Sequence, residues 1–573
     1  MAIFLSACAV VSAQALQEQD LLRVAGEPGR PGGKLSIALR AEPKTLNPVN
    51  AVDQPSRAVL RSMFADLIHI NRATLKAEPA LAKSWSVSRD GKQFTLDLRR
   101  GLRFSDGVSF NADDVVFSFK VYLDEKIQAP ERSFLMVAGQ PIKVEKINAY
   151  RVRFSMAAPY AVAERLFDSI AMLPRHRLEK DYDEGRFAQM WGLNTAPEKI
   201  AGLGPFRLKK FVPGERTVLD RNPYYWKVDS RGQQLPYLDE LTFLFVPSQD
   251  AEVVRFRAGD TQITGNLSTE NFLALAKDQQ AAHWKLVDAG PGLDYNFLLF
   301  NLNSDIQGRL PEVARRQKWF SDARFRRAVS VAIDRDAIVR LVYQGRASAL
   351  VTHVTPASKL WINNAIPVPK RSPDQARQLL KAAGFLWKPD GSLMDASGQA
   401  VEFSILVSSS NAQRTQMAAL VQEDLRQLGM KVSVVSMEFR ATLDRVSESH
   451  NFDTALMAIS GGDADPNPSM ALLTSKGQTH FWHMGETEPR SPWQAELDRL
   501  LFLQLVTMTY PERKKLYDRV QQIVAEQLPV ICLASPHVLV AASASLGNFS
   551  PAVLEHYTLW NVDQLFWRAP GGK

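Results

Sequence analysis

The sequence predicts a large mixed α/β protein with more than one folded unit, and three observations carry that reading. Its 573 residues exceed what a single hydrophobic core sustains. Segments with helical and with strand periodicity alternate along the chain. No repeat of about 20 to 50 residues recurs, which argues against a solenoid or a propeller.

The elements follow in order. MAIFLSACAVVSAQALQ is an uncharged apolar run of small residues, too short to span a bilayer, so residues 1–15 read as a signal-like export segment. Within it Leu5-Ser6-Ala7-Cys8 resembles a lipobox, which makes Cys8 a lipidation candidate, while Ala13-Gln14-Ala15 fits small-x-small cleavage. Neither reading has a Lys or Arg ahead of the apolar run, as a start codon assigned too late would explain. A linker over 16–33, rich in Gly and Pro at its end, leads into Lys34 to Leu39, which alternates like a half-buried strand. Residues 81–98 read as a hairpin turning at Asp90-Gly91, with Trp85 and Val87 facing inward on one arm and Phe94, Leu96 and Leu98 on the other.

A helix then starts at Asn111, whose side chain suits an N-cap. Asp113 and Asp114 sit where the positive end of the helix dipole stabilises anions, and Val115, Val116, Phe119 and Leu123 form its apolar stripe. Asp106-Gly107 is first of all a turn. All three carboxylates therefore have structural work, and catalysis is the weaker reading. Two strands, Phe206 to Phe211 and Thr217 to Asp220, are joined by Pro213-Gly214. Helices are expected over 322–342, 373–383, 413–428 and 511–527, with strands over 431–436 and 452–459.

Composition excludes several classes. The net charge of +8 comes from 69 basic and 61 acidic residues spread over the whole length, so no nucleic-acid partner is expected. The densest basic patch, Arg315 to Arg327, reads as a solvated helix face. With two cysteines at most one disulfide forms, and paired-Cys zinc sites are excluded. No cofactor motif survives inspection. GRPGGK misplaces the first Gly of a phosphate loop, GLGPFR has Arg207 where a third dinucleotide-binding Gly belongs, and neither G-x-S-x-G nor H-E-x-x-H occurs.

His480 and His483, in THFWHMGE, have no acidic or Cys partner at ligand spacing, so no metal site is read there. Instead His480, Trp482 and His483 are expected to line a surface or a cleft. The loop ISGGDADPNPSMALL follows a strand and carries Asp463 and Asp465, and carboxylates aimed by a strand end are placed to meet a ligand or to cap a turn.

EPALAKSWSVSRDGKQFTLDLRRGLRFSDGVSFNADDVVFSF, LGPFRLKKFVPGERTVLDRNPYYWK, FSDARFRRAVSVAIDRDAIVRLVY, SPDQARQLLKAAGF and PERKKLYDRVQQIVAEQLPVICL stand in an order that resembles the solute-binding proteins of ABC importers, family 5, which take oligopeptides, dipeptides or nickel. The resemblance runs from about Lys34 to Trp567. It implies a periplasmic-binding-protein-like fold of the cluster C type, with two lobes, hinge crossings and an inserted domain. Lobe 1 would hold 34–57, 201–290 and 526–573, the inserted domain 58–200, and lobe 2 291–525. The implied protein is an extracytoplasmic monomer, without catalysis or cofactor, that closes around a peptide or similar solute. It would deliver that solute to an ABC permease and ATPase complex.

In peptide-binding members an Asp on the loop matching ISGGDADPNP receives the peptide amine. Asp463 is the first choice for that role and Asp465 the second, although the loop is a residue shorter than the common pattern and its usual preceding Trp is absent. NPYYWKVDSRGQQLPYLDEL resembles a branch in which some relatives take oligosaccharides. Trp361, Trp482 and Trp493 are then candidates for stacking on sugar. A hydrolase on the same clamp is the remaining alternative.

Overall fold

The computed structural model describes residues 20–568, apart from 304, 305, 307, 461, 462, 464, 486, 487 and 556; for 169 and 280–282 it describes the backbone alone. The export segment 1–15, with Cys8, lies outside the described residues. Contacts divide the chain into two units. One takes the chain up to Asp288 with Leu539–Ala552 and the C-terminal residues, and the other takes Ala289–Val538 with Val553–Glu555.

In the first unit, Leu35 and Ile37 turn inward from β1 (Lys34–Leu39). The hairpin forms as β2 (Ala82–Val87) and β3 (Gln93–Leu98), with Gly91 at φ 67° and Asp90 accepting from the Lys92 amide at 3.1 Å. Phe94, Leu96 and Leu98 are buried, whereas Trp85 is half-buried and Val87 exposed, because β2 is an edge strand. The next helix, α1 (Ala112–Leu123), starts with a reciprocal capping box. The Asn111 side chain accepts from the Asp113 amide at 2.7 Å, and the Asp114 carboxylate accepts from the Asn111 amide at 2.9 Å.

Beside α1, β4 (Lys143–Asn148) and β5 (Arg151–Ser155) complete an antiparallel sheet in the order β2-β3-β5-β4. A second sheet runs β6 (Phe206–Val212), β7 (Arg216–Arg221), β8 (Glu240–Phe245), β1, β9 (Ile263–Thr264), with β8 and β9 parallel to β1.

The second unit contains β10 (Tyr295–Phe300), α2 (Ala323–Ala332), β11 (Ala347–Ala349), α3 (Pro373–Ala382), β12 (Glu402–Ser408), α4 (Ala412–Arg426), β13 (Lys431–Met437), β14 (Thr454–Ile459), α5 (Pro492–Val506), α6 (Tyr510–Gln527) and β15 (Val530–Ser543), whose residues up to Val538 belong here. Its sheet runs β15-β10-β14-β12-β13, and β11 also pairs with β15. Strands β12, β13 and β14 are parallel, and β10 runs against β14 and β15. All six residues of β10 are buried, as expected of a strand covered on both faces.

One expectation is corrected here. The single helix over 322–342 breaks after Ala332, because the Asp334 carboxylate accepts from the Ala337 amide at 2.7 Å and starts a new turn. Residue Arg335 is then carried into the core, where it donates to the carbonyls of Leu350 (2.9 Å), Cys532 (3.0 Å) and Ser330 (2.7 Å). Inside β15, after Val538, the chain passes from the second unit to the first. Tyr517, Val520, Ile523 and Val530 are packed into the second unit's core, which carries α6 and the start of β15 with them.

Candidate ligand-binding site

Parallel neighbouring strands send their following loops out of the same sheet edge, and ligands of open α/β sheets bind beyond the carboxyl ends of such strands. In the second unit β12 and β14 are such a pair, with Val407 opposite Leu456. The loop after β14 carries Asp463, which is half-buried. The loop after β12 reaches Asn411, whose side chain caps α4 by accepting from the Arg414 amide at 2.8 Å. That cap places Arg414 in the first turn of the helix.

The guanidinium of Arg414 is partly desolvated, which holds its pKa below the ordinary value despite the facing Tyr343 hydroxyl, and its Nε is buried with no hydrogen-bond partner among the described residues. Because β10 is antiparallel to β14, its first residues meet the same edge, with Tyr295 opposite Ile459. There the Asn296 amide donates to the Tyr343 hydroxyl at 3.1 Å. The edge thus offers a carboxylate, an underused guanidinium and polar hydroxyl groups. A preceding Ser-Ser-Ser-Asn run at a strand end, followed by Arg, was the sequence signal for Arg414, and motif reasoning passed over it.

The second-choice carboxylate has other work. Asp465 is 8% exposed and accepts from both Arg513 Nη atoms, at 3.0 and 3.2 Å. Trp361 is buried and its ring lies 4.8 Å beneath that guanidinium, with Tyr510 and Tyr517 against it edge-on. His480 and Trp482, expected at a surface or cleft, belong to the second unit's interior. Trp482 is fully buried, and His480 lies 4.2 Å from it, centroid to centroid, and hydrogen-bonds the Leu472 carbonyl at 3.0 Å. Trp493 is partly buried against the same core. Neither Trp361 nor Trp482 presents an open face of the kind sugar stacking uses.

The carboxylates near residue 110 are structural. Asp106 accepts from His176 and from Arg177, each at 2.8 Å, Asp113 pairs with Lys146 at 2.8 Å, and Asp114 also accepts from the Arg175 amide at 3.1 Å. Asp66, His69 and Asp168 form a further cluster with ligating atoms within 4.8 Å of one another. Arg72 donates to Asp168 at 2.7 Å, so a guanidinium already takes the cation's place. Burial, reinforced by the Asp168 carboxylate, pushes the Asp66 carboxyl up to about 6 against the opposing pull of His69 and Arg72.

These features define an α/β protein of the periplasmic-binding type, and the comparisons give the family. The description "Bacterial extracellular solute-binding proteins, family 5 Middle" matches residues 76–481, and the chain belongs to that family. A probable ABC transporter-binding protein of Deinococcus radiodurans is 28% identical over 516 residues, covering 86% of this chain and 85% of the relative. The oligopeptide-binding protein AppA of Bacillus subtilis is 25% identical over 96% of this chain and 94% of its own.

The AppA structure, solved with a nonapeptide, covers 95% of this chain and all of its own (100%) at a TM-score of 0.69 and 24% identity. The binding protein MelB of Agrobacterium fabrum, solved with stachyose, covers 95% of this chain and 86% of its own at a TM-score of 0.69 and 22% identity. Among the described residues no helix is long and apolar enough to cross a membrane.

Proposed function

We propose that this chain is the solute-binding component of an ABC importer, that its ligand is an oligopeptide with free termini, and that it hands this ligand to a membrane permease. One observation carries the reading. Asp463 stands on the loop after β14, and Arg414, of opposite charge, in the first turn of α4, which follows the loop after β12, the parallel neighbour of β14. A zwitterionic chain presents an ammonium and a carboxylate, and charge-assisted hydrogen bonds to each would fix its direction. The role matches the peptide-binding relatives by name. Placement outside the cytoplasm, lipid attachment at Cys8, and the division into two lobes with an inserted domain over 58–200 belong to the same proposal.

An oligosaccharide ligand is the second reading, supported by the likeness in fold to MelB with its stachyose. The buried state of Trp361 and Trp482 weighs against it. Native mass spectrometry of the protein as purified, followed by calorimetric titration with a mixed tetrapeptide pool, tests the two readings. Asp463→Asn and Arg414→Met are each expected to weaken peptide binding by about 10- to 100-fold, the worth of one charge-assisted contact. Co-purified sugar with no peptide affinity would refute the peptide reading.

A further inference from the structure

We propose that Asp465 and Arg513 are positioning residues, a buried brace that sets where Asp463 meets a ligand amine; the inference rests on the peptide reading above. Two residues of chain span at most about 7 Å, so fixing Asp465 confines Asp463 to a small shell. The brace is anchored on three sides. Both Arg513 Nη atoms bond the Asp465 carboxylate at 3.0 and 3.2 Å, and both partners are almost fully buried. Two further Arg513 donors go to Gln504, with Nε to its carbonyl at 2.9 Å and Nη2 to its side-chain oxygen at 2.6 Å. The Trp361 ring backs the guanidinium at 4.8 Å. On the loop itself, the Asp465 carboxylate also accepts from the Asn467 amide at 3.0 Å.

A second chain of hydrogen bonds holds the far end of the same loop. The Ser469 hydroxyl donates to the Pro466 carbonyl, so the Tyr517 hydroxyl, 2.9 Å away, donates to Ser469. Tyr517 in turn accepts from His353 Nε2 at 2.9 Å. Burial pushes the His353 imidazole down to about 3, which keeps it neutral, and the hydrogen bond to Tyr517 puts its proton on Nε2. A loop carrying only a solvated turn needs no such support, whereas a loop that must hold one carboxylate at a fixed point does.

The test compares tetrapeptide pools with free and with acetylated amino termini, titrated into the full-length protein. The wild type is expected to prefer the free amine by at least about tenfold. Asp463→Asn should abolish the preference, and so should the double variant Asp465→Leu with Arg513→Met, whose apolar pair removes the brace without leaving a buried charge. If the double variant does not fold, Arg513→Lys replaces it, since Lys keeps the charge and loses the fork. Its expected result is a reduced preference together with faster exchange of the Asn467 amide. A brace variant that folds and keeps the wild-type preference overturns the brace alone. No preference in the wild type overturns the amine reading and the brace together.

Discussion

Asp463 and Asp465 are two residues apart and do different work. Asp465 pairs with Arg513, 48 residues away, whereas Asp463 is the residue proposed to meet a ligand. Sequence spacing could rank the pair but could not separate them, because the partner that decides is distant in the chain. The carboxylates of α1 were legible, since capping is local. Asp114→Ala is therefore expected to cost about 0.5 to 2 kcal/mol in chemical unfolding and to leave peptide affinity unchanged.

The Asp66 cluster makes stability depend on pH. In the unfolded chain this carboxyl ionises near 3.8, but in the fold only near 6, so between these values the native state holds a proton that the unfolded chain has lost. The group's contribution is then full at low pH and falls as pH rises through about 6. Asp66→Asn is expected to raise the melting temperature at about pH 7.5 and to give no such gain at about pH 4. An equal shift at both would show that the carboxyl titrates normally.

At the scale of elements, most of the strands and helices were readable from periodicity and turn residues, with Asn111 and the Asp90-Gly91 turn at their expected places. The break between α2 and the turn at Asp334 was not, because a capping Asp inside a helical pattern looks like any exposed polar position. The aromatic residues failed for a related reason. Trp482 lies in a Gly- and Pro-rich neighbourhood that reads as loop, yet it is packed into the core beside His480. Trp482→Ala should accordingly cost about 3 to 5 kcal/mol in unfolding, as a core truncation does. A variant of wild-type stability with lost sugar binding would return Trp482 to the ligand.

At the scale of the molecule, chain length and the order of landmark segments were enough to anticipate the family, which the match over residues 76–481 bears out. The chain passes between units within β15, where two apolar halves flank Ser535-Pro536-His537 in one unbroken strand, so the strand reads as a single element. The ligand was the least legible, since the site proposed for it draws on β10, α4 and the loop after β14, which lie far apart in sequence. What binds the native state alone stabilises it by mass action, by about 2.7 kcal/mol at a hundredfold excess over Kd.

The most direct test is thus thermal melting of the full chain with a mixed tetrapeptide pool whose termini are either free or both blocked. A rise in Tm with free termini and none with blocked termini is the result expected of a site built on Asp463 and Arg414. An equal rise with both pools, or a rise with oligosaccharides alone, would contradict it.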